Sequence, residues 1–124
     1  MAGLFKFVAP VALVFGLTQA AAAAGLDCTT AEVCEGGSDC QAAGAEALKL
    51  ALTGMGEAEV TLERDGAALS MEQTKPAPIW RWSATTEAGQ IEILAFREAD
   101  KAFTYLILEG GKTALKVIGQ CEVL

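Results

Sequence analysis

The chain has 124 residues, with 16 Asp and Glu against 9 Lys and Arg, no histidine, and a formal charge of −7 at pH 7. That balance excludes a phosphate-tracking nucleic-acid surface and docking on anionic lipid, which both need clustered Lys and Arg. The missing histidine removes the commonest general base, the Ser-His triad and the commonest metal ligand together.

Met1 to Lys6 carries one positive charge, Phe7 to Leu17 is apolar, and Thr18-Gln19 leads into Ala20 to Ala24. This order predicts a signal peptide over residues 1–24, cleaved in an Ala-x-Ala context. A retained anchor competes, since Leu4 to Ala24 approaches spanning length; its strongly apolar part, however, is short and the rest is alanine. Asp27 ahead of Cys28 does not fit a lipobox. The mature chain, residues 25–124, has the size of one domain and is expected to be periplasmic or secreted.

Residues 25–44 are acidic and carry Cys28, Cys34 and Cys40 with five residues between neighbours; the fourth cysteine is Cys121. In an oxidising compartment these read as disulfides. A zinc site built from all the cysteines would need shorter knuckles, and a Cys-x-x-Cys exchange motif is absent. Gly36-Gly37 breaks regular structure, so the segment is expected to be a loop fastened by sulfur. Four cysteines allow three pairings. Cys28–Cys121 with Cys34–Cys40 is favoured, because chain ends in compact domains often lie close together.

Residues 45–124 are expected to form antiparallel strands. Gln41 to Thr53 has helical signals, a Ser38/Gln41 capping box and a Gly54 C-cap. Leu48, Leu50 and Leu52 nevertheless alternate with Ala47, Lys49 and Ala51, which favours a strand. Val60 and Leu62 alternate with charged neighbours up to Asp65-Gly66, a type I′ hairpin signal, and Leu69 and Met71 continue beyond it. Pro76 and Pro78 interrupt the ladder. Strands follow over Ile79 to Thr86, Ile91 to Phe96, Phe103 to Leu108 and, after Gly110-Gly111, Leu115 to Cys121. Turns every eight to twelve residues point to an all-β fold, a small antiparallel sandwich or barrel of six to seven strands. Phe103, Tyr105 and Ile107 share one face and Ala102, Leu106 and Leu108 the other, so both faces are expected to be covered.

Trp80-Arg81-Trp82 places two indoles on one strand face. Core packing is the favoured reading; the alternative is a Trp80/Trp82 ligand face for a sugar or peptide. Glu57, Glu59 and Glu63 read as solvated strand positions. No nucleophile motif or phosphate loop is present.

The spacing Cys28-x5-Cys34-x5-Cys40 after a leader, a β-rich middle and Ile118-Gly119-Gln120-Cys121 resemble a group of small, cysteine-bearing periplasmic β proteins of alphaproteobacteria. The resemblance implies location and disulfides, not an activity. The chain is also similar in plan to the periplasmic inhibitors of c-type lysozyme, small β-barrels with a disulfide near the C-terminus. Ser83 to Gly89 loosely echoes their inhibitory loop, but the aromatic and lysine around it are missing, so no inhibitory residue is carried over.

These readings converge on a non-catalytic binding or envelope-interaction module, without a cofactor or metal. Its acidic charge suits a basic periplasmic or cell-wall protein. The alternative is a small-ligand carrier using a barrel interior or the Trp80/Trp82 face.

Overall fold

The computed structural model describes residues 24–44 and 47–124. The expected leader, up to residue 23, lies outside the described residues. Nine strands follow in chain order: β1 (Gly25–Glu35), β2 (Asp39–Ala42), β3 (Lys49–Thr53), β4 (Glu59–Arg64), β5 (Ala67–Lys75), β6 (Ile79–Thr85), β7 (Ile91–Arg97), β8 (Ala102–Glu109) and β9 (Lys112–Val123). The segment from Lys49 to Thr53 is a strand, and no helix occurs among the described residues.

Every pairing is antiparallel. The order β9-β8-β7-β6-β5-β4-β3-β1 closes through β9 onto β1, giving an eight-stranded barrel, while β2 is a short extra strand on β1. The expected count of six to seven strands is therefore too low. The two added strands, β1 and β2, come from residues 25–44, which are a hairpin and not a loop. Leu26, Cys28 and Thr30 point inward while Asp27 and Thr29 are exposed, so the cysteine is one more apolar residue in a period-2 pattern. The pattern shifts at a bulge, where Ile118 faces Glu32 but Gly119 faces Thr30. Gly119 is required there. A Cβ at this position would run into the Thr29 carbonyl oxygen and lie 2.8 Å from Phe103 Cε1.

Closure removes sheet edges, which is how such folds manage unpaired strand backbone. The turns carry the chemistry expected of them. Asp65 and Gly66 have φ of 51° and 86°, and Gly110 and Gly111 have 58° and 80°, the left-handed values a type I′ hairpin needs.

An eight-stranded barrel has an interior about wide enough for side chains to fill. Across neighbouring strands, Trp82, Leu94, Tyr105 and Val117 form one inward row, each almost wholly buried. Phe96 and Phe103 pair below it, and Leu26, Leu52 and Leu62 run in register through β1, β3 and β4. Both bridges form as favoured from the sequence. Cys28–Cys121 joins facing positions of β1 and β9, and Cys34–Cys40 joins facing positions of β1 and β2. Two disulfides fit an oxidising, non-cytoplasmic compartment.

The outer face of β8 departs from expectation. Leu106 and Leu108 are half-buried, flanked by Ile93 and Ile91 on β7 and by Lys116 and Thr113 on β9. Among the described residues no further strand or helix packs on them.

Candidate functional site

Trp82 is fully buried and stacks on Trp80, with ring centroids 5.7 Å apart and planes 12° apart. Trp82 therefore belongs to the core and offers no face to a ligand. Trp80 is half-buried at one end of the barrel, where its indole N–H donates to Glu98 Oε2 at 2.7 Å. Arg81, between them, points outward and is exposed. Glu57, Glu59 and Glu63 are exposed as expected.

The opposite end of the barrel gathers more chemistry. The turns at 36–38, 65–66, 86–90 and 110–111 lie there, because strands alternate in direction around the barrel. Each turn contains or adjoins an exposed carboxylate: Glu35 and Asp39, Asp65, Glu87, and Glu109. The cations that begin strands at this end are Lys49 and Lys112. Among the described residues only Glu92 and Asp100 have a cation within 4 Å, so the rim carboxylates are uncompensated. The far end is mixed, with Lys75, Arg97 and Lys101 beside Asp27, Glu57, Glu98, Asp100 and Glu122.

Inside the rim, the inward positions nearest this end are apolar and only partly buried: Leu48, Leu69, Ala84, Ile107 and Leu115. Level with them, where Glu92 faces Ala84 and Ile107 in register, lies a polar group that the sequence analysis missed. Glu92 is 3% exposed, accepts a hydrogen bond from the Tyr105 hydroxyl, and has Arg64 Nε 2.8 Å from its Oε1. The Arg64 contact is an ion pair without hydrogen-bond alignment, so Nε is buried with no hydrogen-bond partner. Gln73 Oε1 and Trp82 Nε1, on facing positions of β5 and β6, are likewise buried and unpartnered. The sequence signal was parity. Arg64 is in phase with Val60 and Leu62, Gln73 with Leu69 and Met71, and Glu92 with Leu94 and Phe96.

Burial and the Glu92 carboxylate push the Tyr105 phenol far above its ordinary value. A phenol raised on folding contributes stability that is present below its unfolded value of about 10 and is lost as pH rises beyond it. Tyr105 is the only tyrosine in the chain. An alkaline titration should therefore show tyrosinate absorbance rising together with loss of β structure, not before it. Ionisation near the ordinary value of about 10 in a folded barrel would show that the phenol is not sealed.

Clefts on the outer surface are shallow and acid-lined. One of about 270 Å³ runs between the β1–β2 hairpin and Ala43, Gly44 and Ala47, with Glu35 and Asp39 in its wall. Another of about 340 Å³ holds Glu59 and Glu72, which face each other directly on β4 and β5. Like charges placed so oppose pairing, and no cation stands within 4 Å among the described residues. Glu32 lies beside Cys34 and Cys40, but those sulfurs are joined to each other and hold no lone thiolate for a metal.

Fold and site together define a disulfide-bonded, closed antiparallel β-barrel with a packed interior and an acidic, apolar-lined end. No protein-family model, curated protein or solved structure matches the chain.

Proposed function

We propose that this chain is a non-catalytic binding module of the periplasm or the secreted space, and that its partner is a basic protein such as a cell-wall enzyme. The observation that carries this reading is the ring of exposed carboxylates, Glu35, Asp39, Asp65, Glu87 and Glu109, which outnumber Lys49 and Lys112 at that end of the barrel and have no cation within 4 Å among the described residues. Clustered uncompensated charge costs a small fold self-repulsion, and it steers an oppositely charged partner. The similarity in plan to periplasmic lysozyme inhibitors points the same way. A carrier would need room inside the barrel, whereas Trp82, Tyr105, Phe96 and Phe103 occupy the interior.

The test is binding to a basic lysozyme, with an acidic protein of similar size as control. Affinity for the lysozyme should fall as salt rises, because exposed charges are screened. The double reversal Glu87→Lys with Glu109→Lys should weaken it by about tenfold, from roughly 1 kcal/mol or less per rim pair. Equal affinity for both proteins, or affinity indifferent to the reversal, would refute the proposal.

A further inference from the structure

We propose that the acidic end of the barrel receives an apolar side chain from a basic segment of the partner, seated in the funnel formed by Leu48, Leu69, Ala84, Ile107 and Leu115. The inference rests on the basic-partner reading and adds where and how that partner engages.

Three observations converge on this end. The funnel residues are turned inward and only partly buried, as Trp80 is at the far end, so some apolar surface is open to water. Water-exposed apolar surface inside a polar rim is the usual anatomy of a binding patch. The rim is acidic, through Glu35, Asp39, Asp65, Glu87 and Glu109. That sign rejects a fatty acid or another anion and selects a segment whose apolar residue is flanked by Lys or Arg. Finally, Arg64 closes β4 beside the Asp65-Gly66 turn, with its Nε 2.8 Å from Glu92 Oε1 and its side chain 26% exposed. A main-chain carbonyl oxygen of the inserted segment would accept from its remaining guanidinium N–H groups.

The outer stripe of Ile91, Ile93, Leu106 and Leu108 is also apolar, but it lacks the ring of carboxylates that matches a partner of stated charge.

Two synthetic decapeptides of equal charge test the proposal, one alternating leucine with lysine and one alternating serine with lysine. The leucine peptide should bind about tenfold more tightly, equivalent to about 1.4 kcal/mol. The methyl resonances of Leu69, Ile107 and Leu115 should shift on binding. The double variant Leu69→Ala with Leu115→Ala should reduce affinity for the leucine peptide to that for the serine peptide and leave the latter unchanged, with an unperturbed amide spectrum elsewhere showing that the barrel is intact. Equal binding of both peptides, with shifts confined to rim residues, would overturn insertion while leaving a basic partner in place. Shifts at Ile91, Leu106 and Leu108 instead would overturn it in favour of the outer stripe. Binding of neither peptide would overturn this inference and the basic-partner reading together.

Discussion

Cutting the Cys28–Cys121 bridge, by replacing both residues with alanine, should cost about 4–5 kcal/mol in the chain-entropy account of a loop this long. The two cysteines are 93 residues apart in sequence, so the bridge restrains nearly the whole unfolded domain. Both cysteines are also core residues, at 3% and 2% exposure, in one cluster with Leu26, Leu50 and Leu52. The bridge ties β1 to β9 at the seam where the barrel closes. The corresponding change at Cys34 and Cys40, only six residues apart and outside the closed ring, should cost about 2 kcal/mol by the same account. Against a total of about 5–15 kcal/mol for a small domain, the first loss threatens folding and the second does not. Denaturant midpoints of the two variants compare them directly. Equal losses would mean that the seam is held by its strand pairing rather than by sulfur.

Trp82→Ala should cost about 3–5 kcal/mol, the range for deleting a large buried aromatic. The indole is fully buried in the row shared by Leu94, Tyr105 and Val117, and its stacking on Trp80 would be lost with it. Trp80→Ala should cost less, because that ring is already partly in water. Urea unfolding of the two variants measures the difference. A loss below about 0.5 kcal/mol for Trp82→Ala, the range of neutral surface sites, would contradict the burial and restore an exposed indole face.

The polar group at Arg64, Glu92 and Tyr105 has a structural consequence apart from any partner. A carboxylate at 3% exposure is tolerated in this core because a hydroxyl and a guanidinium both reach it. Removing Arg64 leaves the buried carboxylate without its counter-charge, which destabilises by more than the intact pair stabilises, and removing the Tyr105 hydroxyl takes away its hydrogen bond. Such groups tie separate strands to one arrangement, and here they link β4, β7 and β8 across the barrel. The same group lies at the acidic end, with Arg64 beside the Asp65-Gly66 turn and Glu92 level with Ala84 and Ile107.

Much of the fold was legible from residue order alone. Leu50, Leu52, Val60, Leu62, Leu69, Met71, Leu94 and Phe96 each occupy one parity of their strand, and all are inward. Asp65-Gly66 and Gly110-Gly111 declared their turns because only residues tolerant of positive φ serve there. The favoured disulfide pairing followed from chain ends that meet. Parity fails where backbone register slips: the bulge at Ala31 moves β1 from one phase to the other, and Cys28 read as a staple rather than as an inward strand residue. Whether eight strands lie open, stack as two sheets or close is a long-range matter. It depends on β9 meeting β1, residues separated by almost the entire domain, and no local pattern encodes that contact. The candidate site shows the same division. Charge and composition already weighed against a nucleic acid or lipid, which is where the proposed basic partner begins. Only closure brought Glu35, Asp39, Asp65, Glu87 and Glu109, distant in sequence, onto one end, and only the inward turn of Arg64 and Glu92 placed an ion pair beneath them.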